Sequence, residues 1–201
     1  MSWAEQAAAA RLEDDVVLLR PVEAGDRAAV QDVAMDPDIW RYFVSRVETE
    51  QEFDSFFETM LADLKARKRI PFVVIDKASG RIAGSMSYGN LAEPDGRMEI
   101  GWSWLGRDYR GQGLNRPAKR LLLRFAFTVL GAERVEFKTD VLNEQARAGL
   151  LGIGAVEEGV LRSFNPMPGG RRRDAIFYSV LRTEWPGVDR ILAAAAAAVA
   201  R

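Results

Sequence analysis

Between Lys65 and Pro71 the spacing of apolar side chains changes, and that change limits the chain to a mixed α/β fold. Upstream, Phe53, Phe56, Phe57, Met60, Leu61 and Leu64 recur at three and four residues, the period of a helix with one buried stripe. Thr49 and Glu52 have the spacing of a capping box, so this helix is predicted to open at Thr49. Lys65, Arg67, Lys68 and Arg69 follow its last apolar residue, where positive charge suits the helix dipole. Downstream, residues 71–75, 82–91 and 98–105 read as three strands. Ser79-Gly80 and Pro94-Asp95-Gly96 supply the turns between them, which predicts an antiparallel meander.

The other segments extend this frame. Residues 16–22 form a first strand ending at Pro21, and 26–35 a short helix with Val30, Val33 and Ala34 on one face. Residues 115–130 predict a helix that buries Ala118, Leu121, Leu122, Phe125, Ala126 and Val129 and turns Arg116, Lys119, Arg120 and Arg124 outward. A strand over 134–139, a helix over 143–153 and a strand pair at 155–162 and 175–181 complete the order. Alternation of strand and helix in this half implies one parallel pair inside a mostly antiparallel sheet. The 201 residues fit one domain with its core at about 16–186 and alanine-rich helical extensions at both ends.

Composition removes whole classes of chemistry. The chain has no cysteine and no histidine, which excludes disulfides, thiolate nucleophiles, Ser-His triads and the commonest metal ligands. Protons must therefore move through carboxylates, tyrosine, lysine, an amine or water. A formal net charge of −1 gives no pull toward nucleic acid or an anionic membrane. No apolar run approaches the ~20 residues of a membrane span, and the first fifteen residues lack the pattern of a secretory signal. The expectation is a cytoplasmic protein without nucleic-acid or membrane partners.

The segment Arg107-Asp-Tyr-Arg-Gly-Gln-Gly-Leu-Asn115 lies between a predicted strand and a predicted helix. Its glycines allow main-chain amides close to a ligand, and the helix points its positive end to the same place. Asn115 suits a helix N-cap and Pro117 the first turn. By itself the segment reads equally as an anion site or as an ordinary strand-to-helix turn. A P-loop pattern is absent, and Gly111-x-Gly113 lacks the third glycine of a dinucleotide fingerprint.

The element order and Arg110-Gly-Gln-Gly-Leu-Asn115 resemble the acetyl-CoA loop of GNAT acetyltransferases. Glu99-Ile-Gly-Trp102, Phe137-Lys-Thr-Asp140, Asn143, residues 154–162, Arg173-Asp174, Tyr178-Ser-Val and Glu184-Trp185 are similar, in order, to the RimJ/RimL branch. Two departures stand out: Asn115 replaces a small residue closing the loop, and Ala146 stands where the branch commonly has serine. The second leaves the acid for the leaving group unassigned.

The resemblance implies direct transfer of an acetyl group from acetyl-CoA, without metal, to a primary amine on a protein N-terminus or a small molecule. Acetyl-CoA would lie where strands 98–105 and 134–139 splay apart. Backbone groups around Trp102, Trp104 and Leu105 would hold the pantetheine arm, and Arg110, Gly111, Gln112, Gly113, Leu114 and Asn115 the pyrophosphate. Asn143 would contact the cofactor near its thioester, or cap the following helix, or both. Two readings of another kind stay open: a non-catalytic acyl-CoA sensor, and a transferase using a different donor such as succinyl-CoA. A homodimer is common among such enzymes.

Glu99 is the first candidate base, with a solvent-facing strand glutamate as its alternative. Strand alternation puts Glu99, Gly101 and Ser103 on one face, with room over Gly101 for a water relay, and Met98, Ile100, Trp102 and Trp104 on the other. By family position, at the start of a late strand, Asp174 is the second candidate, with pairing to Arg172 or Arg173 as its alternative. By the resemblance, which builds the acceptor pocket from the early helices and middle strands, Trp40, Tyr42, Phe43, Met86 and Tyr88 would line it, with membership of the core as their alternative. Arg171-Arg-Arg173 would attract an acidic acceptor or serve as a solvated turn.

Overall fold

A computed structural model describes residues 1–199. Eight strands form one sheet: β1 (Leu12–Glu13), β2 (Val17–Pro21), β3 (Ile70–Asp76), β4 (Arg81–Ala92), β5 (Arg97–Leu105), β6 (Arg134–Asp140), β7 (Val156–Pro166) and β8 (Arg172–Leu181). Their order is β1-β2-β3-β4-β5-β6-β8-β7, and every neighbouring pair is antiparallel except β5 with β6. The helices are α1 (Trp3–Ala8), α2 (Arg27–Ala34), α3 (Pro37–Trp40), α4 (Glu50–Lys65), α5 (Asn115–Phe125), α6 (Glu144–Leu151) and α7 (Trp185–Val199). The mixed α/β sheet with one parallel pair is thus the expected class. β1 and α3 are additions, too short to show a period.

The sheet has two differently covered faces. On one, α1, α5, α6 and α7 pack with Phe72, Tyr88, Met98, Ile100, Val135 and Tyr178 into the larger core. On the other, α2, α3 and α4 cover only the β2–β5 half, meeting Val73, Ile82 and Trp104. Helix α4 forms as the spacing predicts. The Thr49 hydroxyl accepts from the Glu52 amide at 3.2 Å while the Glu52 carboxylate accepts from the Thr49 amide at 3.1 Å.

Helix α5 departs from its expected register. A π-helical turn over Ala126–Leu130 adds a residue, which brings Phe127 and Leu130 into the core and leaves Val129 56% exposed. Lys119, expected on the outer face, is only 8% exposed. Asn115 lies inside the first turn and not at the cap, a position taken by Leu114. Its side-chain oxygen accepts a hydrogen bond from Lys119 Nζ at 2.8 Å.

Strand β5 departs as well, and this correction shapes the site. Ser87 pairs with Gly101 but Ser85 pairs with Trp104, so three steps on β5 match two on β4. The extra residue is a β-bulge in which Trp102 takes a φ of 48°. Met98 and Ile100 face the α5 core as expected, but Trp104 emerges on the opposite side against Trp40 and Phe56. Trp102 lies over Gly89, where an added Cβ would come within 2.3 Å of its ring. Both tryptophans therefore share the side of Glu99.

Candidate active site

Strands β5 and β6 pair only through Arg97–Arg134, Met98–Val135 and Glu99–Glu136. Beyond Glu99 the β6-facing edge of β5 has no strand partner, and residues 101–103 are half-buried, so their free main-chain groups are open to a ligand. Below the fork lies the α5 core. Above it, on the α4 side, lie Glu99 and the bulge.

The loop after β5 forms the mouth of this gap. Gly111 and Gly113 adopt φ of 75° and 81°, left-handed values that disfavour a Cβ. With Leu105, Tyr109, Leu114, Asn115, Arg116 and Pro117 they line a cleft of about 330 Å³ at the N-terminus of α5. Main-chain amides and the positive end of the helix suit an anion there. Lys119 adds one buried cation behind Asn115, its pKa pushed down to about 8 by burial. Arg110 is held differently: its Nε donates to the Leu105 carbonyl at 3.0 Å and its Nη2 to Asp36 at 2.7 Å. That grip fixes the loop to the corner before α3.

On the other side of the fork, Glu99 is 4% exposed. Its Oε2 accepts from Asn90 Nδ2 at 2.6 Å and from Lys138 Nζ at 2.7 Å. Gly101 leaves room for this carboxylate, because a Cβ there would come within 2.6 Å of Glu99 Oε1 and push it aside. Lys138 Nζ also sits 5.8 Å from the Trp102 ring centroid, and the Arg69 guanidinium sits 5.1 Å from it. Arg69 is paired with Asp63 at 3.0 Å. Burial still holds its pKa below the ordinary arginine value, Asp63 opposing that shift. A second cleft, of about 580 Å³, runs between Trp102, Arg69 and the outer side of α4, with Phe56, Thr59 and Asp63 on its wall.

The remaining sequence candidates scatter. Ser103 is half-buried and donates to the Gly101 carbonyl at 3.3 Å. Asn143 caps α6, accepting from the Ala146 amide at 3.0 Å. Asp174 pairs neither with Arg172 nor with Arg173, and accepts instead from the Ser163 amide at 2.6 Å. Trp40 and Phe43 back the second cleft: Trp40 stacks edge-on to Phe56, with centroids 4.8 Å apart, and to Phe43 at 5.4 Å. Met86 and Tyr88 belong to the core under α5 and line neither cleft, since their positions on β4 alternate away from Ser85 and Ser87. The Tyr88 hydroxyl donates to the Leu122 carbonyl, and burial raises its pKa well above that of a free phenol.

The sequence reading missed Asn90, Arg69 and Lys138 as partners of the site. Lys138 carried a signal, a cation in mid-strand beside Phe137 that must face away from the core. Asn90 carried none, because its contact with Glu99 depends on the pairing of β4 with β5.

A sheet splayed at one parallel pair, with a glycine turn and a helix N-terminus at the mouth, is the framework of acyl-group transferases. Residues 17–156 match the family described as Acetyltransferase (GNAT) domain, and the chain belongs to that family. It is 31% identical over 151 residues to the Bacillus subtilis protein named "Putative ribosomal N-acetyltransferase YdaF", covering 74% of this chain and 79% of that one. A GCN5-related N-acetyltransferase from Brucella melitensis superposes with a TM-score of 0.85 at 26% identity, covering 92% of this chain and 84% of that one. Mycobacterium smegmatis RimJ, solved in complex with CoA-disulfide, shares the fold with a TM-score of 0.76 at 24% identity over 93% of each chain. These relatives agree with the RimJ/RimL-like resemblance. Among the described residues no cluster of potential metal ligands occurs, and no helix is long and apolar enough to cross a membrane.

Proposed function

We propose that this chain moves an acetyl group from acetyl-CoA to a primary amine by direct attack, with Glu99 receiving the proton. One observation carries the reading: the sheet forks immediately after Glu99, so the buried carboxylate stands at the head of the cofactor gap, on the side of the sheet where Trp102 walls the second cleft. The Gly111–Asn115 turn and the start of α5 suit the pyrophosphate, and the free edge of β5 suits the pantetheine amides.

The chemistry asked of the residues is limited. An alkylammonium has a reference pKa of about 10 and cannot attack until it loses a proton. Asn90 and Lys138 fix Oε2 of Glu99, which leaves Oε1, over Gly101, to take that proton directly or through one water. The nitrogen then bonds the thioester carbon, and main-chain N–H groups of the unpaired β5 edge stabilise the oxyanion. The C–S bond breaks, and CoA leaves as a thiolate that takes, through water, the second proton the nitrogen must shed to become a neutral amide. No acyl-enzyme is invoked, as no cysteine exists. The name of YdaF, a putative ribosomal N-acetyltransferase, favours an amine on a ribosomal component as acceptor, and a protein α-amine or a small amine fits the same scheme.

The test is unusually clean because the chain has no thiol of its own. Acetyl-CoA and a panel of amines and N-terminal peptides are mixed with the protein, and thiol release is followed with a chromogenic disulfide reagent. Acceptor-dependent release above the protein-free control is expected. Thermal stabilisation by CoA without any release would identify a sensor instead, and neither signal at millimolar CoA would defeat the binding assignment too.

A further inference from the structure

Arg173 is a buried cation that the scheme above does not use. It is 8% exposed, and its Nε has no hydrogen-bond partner. By alternation along β8 it faces away from Ile176, Tyr178 and Val180, which belong to the α5 core, and so lies on the side of Glu99 and Lys138. The two carboxylates whose fields it feels are Asp140 and Glu99. Both are already engaged: Asp140 by Arg171 and the Leu142 amide, Glu99 by Lys138 and Asn90. Arg173 forms no ion pair among the described residues. Burial, with Arg171 nearby, holds its pKa below the ordinary arginine value against the pull of the two carboxylates.

The local charge count is therefore uneven. Glu99 and Asp140 supply two negative charges, while Lys138, Arg171 and Arg173 supply three positive ones. A guanidinium is a planar fork of donors shaped for a carboxylate, and leaving one buried and unmatched costs stability unless a ligand completes it. Lys138 extends the same wall, lying 5.6 Å from the Phe164 ring centroid.

We infer that Arg173 is a specificity residue that receives a carboxylate carried by the acceptor amine. This rests on the reading of the Glu99 side as the acceptor site. The acceptor would then place its amine toward Glu99 Oε1 and its carboxylate toward Arg173, one group to each charge. Two sources share that chemistry: a free amino acid, and an acidic side chain beside the amine of a peptide.

The experiment compares matched acceptors that differ only in the carboxylate. Glycine is set against methylamine, β-alanine against ethylamine, 4-aminobutyrate against propylamine, and the amidated peptides Ala-Asp and Ala-Asn against each other. At least one pair is expected to favour the carboxylated member by about tenfold or more in kcat/KM. In Arg173→Gln that ratio falls toward one through KM for the acceptor, while KM for acetyl-CoA holds; Arg173→Lys restores part of the ratio. Preference among the free amines identifies a small acceptor, and preference in the peptide pair alone identifies an acidic side chain. A ratio near one in every pair, or a ratio that survives in Arg173→Gln, overturns the inference even when acetylation proceeds. Calorimetric titration of the same pairs into the CoA-saturated wild-type protein keeps the question open to measurement if Arg173→Gln does not fold. Selective binding of the carboxylated members without turnover would support the subsite while defeating the transferase reading. Equal or absent binding together with no turnover would defeat both.

Discussion

On the α5 side of the fork, Gly111, Gly113 and the first turn of a helix offer main-chain amides to a ligand. On the α4 side, Glu99, Asn90, Lys138 and Arg173 offer side chains drawn from β4, β5, β6 and β8. The first surface is set by a few consecutive residues, and it works with almost any side chain that tolerates the backbone. The second exists only when several strands are in the correct register. A backbone site is cheap to specify and insensitive to detail; a side-chain network is specific and breaks at any member.

Replacing Glu99 tests that contrast most severely. Glu99→Gln is expected to lower turnover by roughly a hundredfold or more, the range for losing a positioned general base. KM for acetyl-CoA should stay within about twofold, as judged by initial rates of thiol release. Unchanged turnover would remove Glu99 from the role. The substitution also strips Lys138 of its carboxylate, so the melting temperature is to be recorded beside the rate.

Lys119 probes the one place where the backbone side resembles its opposite, since it is a buried charge hydrogen-bonded to neutral Asn115. Its folded pKa of about 8 lies below that of a free lysine, so folding disfavours the ammonium. Stability is then lowest below about pH 8 and rises as pH climbs toward the unfolded value, by an amount on the order of 3 kcal/mol. Urea unfolding between pH 7 and pH 10.5 should show that slope, and Lys119→Met should flatten it. A flat wild-type profile would show that the ammonium is better solvated than its burial implies.

Gly111→Ala is the mildest change. Nothing lies within 4 Å of a Cβ at this position, so the effect comes only from the left-handed φ. That strain is about 1–2 kcal/mol, enough to weaken CoA binding by about tenfold if the turn must keep its shape. Titration calorimetry with CoA reads it, and an unaltered affinity would place the anion elsewhere.

The same contrast explains what could be read in advance. The capping box at Thr49, the three-strand meander and the Gly111–Asn115 turn are local patterns, and each appears where its spacing placed it. The fork between β5 and β6 followed from element order and resemblance together. Failures came where one residue altered a register. The π-helical turn in α5 exchanged Val129 for Phe127 and Leu130, and the β5 bulge moved Trp102 and Trp104 across the sheet. Neither irregularity has a composition of its own; each is imposed by the packing it permits. Met86 and Tyr88 were drawn toward a pocket by their chemistry, yet alternation along β4 turned them to the core.

The residue added at Trp102 works as a parity switch along β5. Before it, even-numbered side chains address α5; after it, they address α4, so a single strand delivers apolar packing to both layers. A one-residue insertion or deletion between Gly101 and Trp104 would reverse every assignment downstream, sending Trp104 into space already filled by the α5 core. Changes of length here are therefore tolerable only in twos.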